Sequence, residues 1–143
     1  AEMVSEVKHH FRLKHRLTLG MVNNGGEQGV PAWLERPANV PLFGSPEFSR
    51  MHVRMFLKKS FVASSSFEAV CLAIGHELSH IVIEGIKHPL RKEERAVDLL
   101  TMVLGFSDVY AKVASGDHLS GWQTGYLTPE ERVFARDMIA LMR

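Results

Sequence analysis

Two histidines and a glutamate stand close together in the segment GHELSH, residues 75–80. On an α-helix, residues four positions apart differ by about 40° in direction and one turn in height, so His76 and His80 project from the same side. Imidazole nitrogens placed in this way can bind one metal ion. Glu77 points about 100° away from His76, where its carboxylate can take a proton from a water beside the ion. The spacing predicts two metal ligands and a general base on one helix.

Carboxylates stand at matching heights on a second predicted helix. Two helices joined by a short loop pack antiparallel, so residues equally distant from the loop lie at equal heights. Counted from the loop at residues 86–88, Glu94 is level with His80 and Asp98 is level with His76. We therefore expect Glu94 to be the third metal ligand. Asp98 would accept the other ring N–H of His76, the usual arrangement behind a ligating histidine.

Glu93 is the alternative third ligand, but Val97 stands one helical turn after it, so Glu93 has no matching second carboxylate. The acidic residues could instead form a solvated face together with the basic residues between positions 91 and 95, which is the usual meaning of a charge run. A solvated face leaves the level match with the two histidines unexplained. We therefore favour a metal site that includes Glu94.

The pattern HELSH followed by EERAVD resembles the gluzincins, zinc peptidases with HExxH on one helix and a glutamate in E-x-x-x-D on the next. It looks most similar to the compact catalytic cores of the heat-shock-type and prenyl-protein-processing zinc peptidases and to the minigluzincins. The resemblance implies one Zn²⁺ ion bound by His76, His80 and Glu94. It also implies that Glu77 is the general base and that Asp98 supports His76.

The segment MHVRMFLKK, residues 51–59, alternates apolar and polar residues with the period of two that is typical of a half-buried strand. Its charged outward residues favour an edge strand. In the resembled peptidases an edge strand precedes the active-site helix and pairs with extended substrate. The resemblance therefore implies that Val53, Arg54, Met55 and Phe56 bind a peptide or protein substrate.

A tetrahedral intermediate of amide hydrolysis needs a hydrogen-bond donor for its oxyanion in addition to the metal. His118 and Tyr126, in a segment predicted to be a late loop, are the first candidates for this catalytic role. His88 and Tyr110 are weaker candidates. A lone His or Tyr in a loop more often serves packing or the surface, so the donor stays an open question at this point.

The rest of the chain predicts the elements that must position these residues. Helices are expected over 2–16, from the N-cap Ser66 to Gly85, from Pro89 to Leu104, over 109–114, and after the N-cap Thr128, which is followed by Pro129 and Glu131. A strand is expected over 17–22. The turn NNGGEQG and an irregular loop from Val30 to Phe48 follow it. In the helix predicted from Pro89 to Leu104, the apolar residues expected to face the core are Ala96, Leu99, Leu100 and Val103. In the last helix they are Val133, Phe134, Met138, Ile139 and Leu141.

Composition indicates an ordinary globular protein. The 143 residues suit one domain, 1–143, and a net charge of +1 with 23% charged residues gives no reason to expect nucleic acid or anionic lipid as a partner. The basic side of the first helix is interpreted as solvated. The one cysteine, Cys71, excludes an internal disulfide framework and is expected to be buried and inert. We see neither a signal peptide nor a membrane span, which favours the cytoplasm over secretion.

These features together predict an α+β, zincin-like fold. It would contain a small mixed or antiparallel sheet, an edge strand packed on the active-site helix, and a following antiparallel helix. The expected function is that of a zinc endopeptidase. Two alternatives remain, a non-catalytic metal-binding regulatory domain and a metallohydrolase acting on another amide. A regulatory segment or a larger parent chain is a further expected partner.

Overall fold

A computed structural model describes residues 2–114 and 125–143. The described residues form seven α-helices, three β-strands and one π-helical turn, so the fold is α+β. In chain order the elements are α1 (Glu2–His10), β1 (Arg16–Val22), β2 (Ala32–Glu35), α2 (Pro46–Arg50), β3 (His52–Lys58), α3 (Lys59–Ser64), α4 (Phe67–Gly85), α5 (Glu94–Thr101), the π-helical turn (Met102–Phe106), α6 (Ser107–Ala114) and α7 (Pro129–Leu141). No described helix is both long and apolar enough to cross a membrane.

The three strands form one small mixed sheet in the order β1-β3-β2. Strand β1 runs parallel to β3, with Leu19 opposite Met55, and β2 runs antiparallel to it, with Leu34 opposite Met55. The prediction of a strand over 51–59 is confirmed, but the prediction that it is an edge strand is wrong. Alternation reveals that one face is buried and carries no information about how many neighbours a strand has.

The four residues proposed to bind substrate therefore lie on a strand that is paired at Arg54, Met55 and Phe56 on both sides. Val53 and Met55 are fully buried beneath the sheet. Their backbone groups take part in the sheet and their side chains pack in the core, so this stretch cannot accept an added strand. The edge beside the predicted site is β2, which lies within the segment that the sequence indicated to be irregular.

The side chains of β3 divide cleanly between two faces. Val53, Met55 and Leu57 belong to the hydrophobic core. On the opposite face Phe56 stacks on Trp33 of β2, with ring centroids 5.4 Å apart. A β-carbon at Gly20 would lie 2.8 Å from Phe56, so this stack requires a glycine opposite it in β1.

Helix α4 is confirmed from its cap to its last residue. The side chain of Ser66 accepts the Ala69 N–H at 3.1 Å, which satisfies one of the free donors at the helix start. The helix ends at Gly85, where a β-carbon would lie 2.9 Å from Phe48. Most of its residues are buried, because it packs against α1, α5, α6 and β2. Cys71 is only partly buried, and burial raises the pKa of its thiol.

The helix predicted from Pro89 to Leu104 is shorter and differently oriented. Helix α5 begins at Glu94, and the segment after Pro89 forms turns. Its buried face consists of Val97, Asp98 and Thr101, whereas Leu99 and Val103 are 42% and 49% exposed. The apolar pattern gave a wrong inward face because that face carries the buried carboxylate of Asp98 in place of an apolar residue. The π-helical turn follows, with Gly105 at φ +117°.

The predictions for the first and last helices differ in their outcome. Helix α1 ends at His10, six residues before the predicted end. Helix α7 is confirmed with its capping box, in which Thr128 and Glu131 exchange hydrogen bonds of 3.2 and 2.9 Å. Of its apolar residues, Ile139 is buried as expected, but four others are exposed: Val133, Phe134, Met138 and Leu141.

Candidate metal centre

Three side chains converge where α4 meets the start of α5. One carboxylate oxygen of Glu94, Oε2, lies 3.1 Å from His76 Nε2 and 3.2 Å from His80 Nε2. The three ligand atoms all lie within 4.8 Å of one another, so the group could hold a metal ion. Glu94 is thus brought to the two histidines as predicted. Glu93 is instead the extended residue that precedes α5 and does not belong to the group.

The hydrogen bonding of His76 fixes which ring nitrogen faces this group. Its Nδ1–H donates to Oδ1 of Asp98 at 2.7 Å, so a neutral His76 presents the lone pair of Nε2 to Glu94. A lone pair, a second imidazole nitrogen and a carboxylate oxygen attract one another only through a shared proton or a cation. A proton on His76 Nε2 accounts for its contact with Glu94, and the same three atoms could hold a divalent ion in place of that proton.

The spacing of the ligand atoms can be compared with zinc geometry. In tetrahedral zinc sites with ligands about 2.0–2.2 Å from the ion, neighbouring ligand atoms lie about 3.3–3.6 Å apart. The two His–Glu separations, 3.1 and 3.2 Å, are slightly shorter than this range. A small outward shift of Glu94 would bring the three ligand atoms to the spacing of a tetrahedral ion such as zinc.

Asp98 receives four hydrogen bonds and organises the site from behind. Besides His76, the Tyr110 hydroxyl donates to Oδ1 at 2.7 Å. The backbone N–H groups of Tyr126 and Leu127 donate to Oδ2 at 2.6 and 3.0 Å. Burial alone would raise the pKa of this carboxyl, but the hydrogen bonds from His76 and its other donors lower it. Asp98 is thus a buried carboxylate that holds one of the candidate ligands, His76, in place.

Arg132 of α7 is a member of this network that the sequence did not reveal. It is 7% exposed, its Nε donates to Leu127 O at 3.1 Å, and its guanidinium carbon lies 5.3 Å from the centre of the Tyr110 ring. A β-carbon at Gly125 would lie 2.7 Å from Arg132 Nη2 and 3.2 Å from Asp98 Oδ2. Arg132 therefore places a positive charge near the buried carboxylate and fixes the segment that donates to it.

The titrating groups of the site differ in their tendency to hold a proton. Burial disfavours charged His76, yet its hydrogen bonds with Asp98 and Glu94 outweigh this effect and raise its pKa to about 9. Burial and the nearby His76 lower the pKa of His80 to about 4. Burial raises the pKa of Glu77 to about 7, which is suitable for a group that must accept and release a proton near neutral pH.

A cleft opens between α4 and β2 at this centre. Glu77 lines it next to the ligand group, and Trp33 and Arg36 line the opposite side. We call it the metal cleft. Tyr126 also lines it, 40% exposed, with its ring 5.6 Å from that of His76.

The candidates for the oxyanion donor fare differently. Tyr126 stands in the cleft, as its predicted role requires, while His118 lies outside the described residues. Tyr110 is fully buried and donates to Asp98, which makes it a support of the network rather than an oxyanion donor. His88 accepts the Leu90 N–H in the loop that follows α4.

Glu94 lies beside His76 and His80 as the sequence predicted, but the predicted helix from Pro89 does not form. Residues 89–93 are not helical, so equal counts from the loop do not measure equal heights. The contacts nevertheless run in opposite directions along the two helices. Glu94 meets His80 and His76, Asp98 meets His76, and Thr101 lies against Gly75, where a β-carbon would be 3.1 Å from its methyl group.

Comparisons of the chain with protein-family models, curated proteins and solved structures found no match. The resemblance to the gluzincins thus stays a prediction carried by HELSH and EERAVD. What the structure adds is an α+β fold with a small mixed sheet and a group of three ligands able to hold a metal ion.

Proposed function

We propose that this protein is a zinc-dependent endopeptidase. The observation that carries the proposal is the convergence of His76, His80 and Glu94 beside a second acid, Glu77, on the wall of an open cleft. Structural zinc sites are usually closed by four protein ligands, whereas catalytic sites have three and keep one position open. Among the described residues three side chains form this group, which favours the catalytic alternative over a structural or regulatory ion.

The residues of the cleft have distinct roles in the proposed reaction. A zinc ion held by the three ligands would lower the pKa of a water and polarise the substrate carbonyl. Glu77 would take the proton of the attacking water and deliver it to the leaving amine. Tyr126 is the proposed hydrogen-bond donor to the oxyanion, because it is the one described candidate that lines the cleft. Asp98 would hold His76 in the correct tautomer throughout.

Strand β2 supports a peptide as the substrate. The Lys58 N–H donates to Pro31 O at 3.0 Å, which marks residues 31 and 58 as a hydrogen-bonded pair of the antiparallel ladder. Such pairs alternate along the ladder, so Trp33 bonds to β3 while the backbone groups of Ala32 and Leu34 face the free edge. An extended peptide can add to this edge. Because Ala32 is only 2% exposed, we propose Leu34, instead of the residues of β3, as the main-chain partner of substrate.

Metal dependence tests the proposal. Zinc-loaded protein is incubated with a library of capped random peptides, and cleavage products are counted by mass spectrometry. We expect cleavage that a chelator abolishes and that one equivalent of zinc restores. Glu94→Gln should bind zinc at least tenfold more weakly, because a neutral amide replaces the anionic ligand. Cleavage that continues at full rate in chelated protein would contradict the proposal.

A further inference from the structure

Arg36 extends the metal cleft beyond its ligands. Side chains alternate along a strand, so Arg36 leaves the end of β2 on the same face as Ala32 and Leu34, the face that meets α4. There it contacts Glu84, which lies one helical turn after His80. Among the described residues that line the cleft, Arg36 is the one lysine or arginine.

The guanidinium of Arg36 is only partly engaged. Its Nη2 lies 3.4 Å from Oε1 of Glu84, near the limit for a hydrogen bond, and Glu84 also faces Arg91 at 3.5 Å. Arginine presents several N–H donors in one plane, and the Arg36 side chain is 28% exposed. Because Arg36 shares the Glu84 carboxylate with Arg91 and lies 3.4 Å from it, several of its N–H donors stay available to a ligand in the cleft.

The position of Arg36 relative to the ligands sets the distance to the reacting bond. Glu84, the partner of Arg36, follows His80 by four residues on α4, a rise of about 6 Å. In an extended peptide the rise per residue is about 3.3 Å. A peptide group held by Arg36 would therefore belong to a residue within about two positions of the bond at the metal.

We propose that Arg36 forms a subsite for a carboxylate, so that the protein selects peptides with an acidic group within two residues of the cleaved bond. Guanidinium and carboxylate form paired, charge-assisted hydrogen bonds, which makes this the matching chemical class. The group is an Asp or Glu side chain in an endopeptidase. The terminal carboxylate of the peptide has the same chemistry, and its selection would make the protein a carboxy-terminal exopeptidase instead. This inference rests on the proposed function, because it assumes that a peptide occupies the metal cleft.

Binding to the inactive Glu77→Gln variant tests the subsite without hydrolysis. The probes are pools of random hexapeptides in which one position is fixed as Glu or as Gln, each prepared with a free or an amidated C-terminus. Bound peptides are quantified by mass spectrometry. Arg36→Gln removes the charge, Arg36→Lys keeps it, and Arg91→Gln is the matched control because Arg91 faces the same Glu84 from outside the cleft lining.

We expect the acidic pool to bind about tenfold more than its Gln counterpart at one position or at a free C-terminus. The preference should fall below about twofold in Arg36→Gln, recover in part in Arg36→Lys and persist in Arg91→Gln. Dependence on the free C-terminus would identify the terminal carboxylate, and independence would identify a side chain. Equal binding of the pools, or a preference unchanged in Arg36→Gln, would overturn the subsite. If Arg36-dependent binding occurs but wild-type protein cleaves no pool, the subsite stands and the endopeptidase proposal fails.

Discussion

His76 Nδ1 lies 2.7 Å from Asp98 Oδ1, and this contact joins the histidine pair of α4 to the rest of the network. The same carboxylate accepts hydrogen bonds from α6, through Tyr110, and from the segment before α7, through Tyr126 and Leu127. One buried acid of α5 thus connects a candidate metal ligand to α6 and to the segment before α7. Its removal should affect metal binding more than any exposed acid.

Asp98→Asn should weaken zinc binding by about 10–100-fold, because the amide no longer fixes the tautomer and basicity of His76. Zinc affinity is measured by competition with a chromophoric chelator at neutral pH. Asp108→Asn, an exposed change in the first turn of α6, is the control and should bind zinc like the wild type. Equal affinities in the two variants would show that Asp98 does not support the ligand.

Arg132→Met should lower the free energy of unfolding by about 2 kcal/mol, since Leu127 O loses a buried hydrogen bond and Asp98 loses a nearby positive charge. Zinc affinity should fall as well, because the segment that donates to Asp98 is no longer fixed. Urea unfolding and chelator competition measure the two effects. Arg136→Met, one turn later in α7 and paired with its neighbour Asp137, should change neither by more than about 0.5 kcal/mol.

Leu34→Pro should reduce kcat/KM for peptides by about tenfold or more, because proline removes the N–H that faces the free edge. The ladder with β3 keeps its bonds through Trp33, but the partly buried Leu34 side chain is lost, so the free energy of unfolding should fall by about 2 kcal/mol. Leu34→Ala loses the same packing, keeps the N–H and should retain activity. Full activity of folded Leu34→Pro would exclude strand addition at this residue.

The burial of His15 should make the protein less stable in mild acid. It is fully buried, neither ring nitrogen has a hydrogen-bond partner among the described residues, and burial together with Lys8 lowers its pKa to about 4. The unfolded chain takes up this proton near pH 6.5 and the folded chain only near pH 4, so stability is complete above 6.5 and falls as the pH drops through this window.

The expected loss from His15 between pH 7.5 and pH 5 is about 2 kcal/mol, measured by urea unfolding. His15→Leu should remove that part of the pH dependence. His9→Gln, at an exposed position of α1, should preserve it. A slope unchanged in His15→Leu would assign the acid sensitivity to other groups.

The sequence was informative where local rules determine structure. The cap at Ser66, the apolar stripe and Gly85 define α4, so the relative positions of His76, Glu77 and His80 follow from helix geometry. The level match also identified Glu94 and Asp98, although its premise of a helix from Pro89 is wrong.

The remaining features depend on contacts between distant segments. Strand β2 is four residues long and follows Pro31, too short for alternation to mark it, and its pairing with β3 is visible only in the fold. The roles of Tyr110 and Arg132 arise because α6 and α7 pack beside α5. Composition and period carry no signal for such long-range polar partners.

Glu77→Gln separates zinc binding from catalysis in a single variant. Zinc-loaded wild type and variant are incubated with the random peptide library, and both zinc content and cleavage rates are measured. We expect one zinc per chain in both proteins and a loss of cleavage of at least about a thousandfold in the variant, because the base alone is removed. A variant that binds zinc and still cleaves at the wild-type rate would show that Glu77 is not the general base and would contradict the proposed zinc endopeptidase.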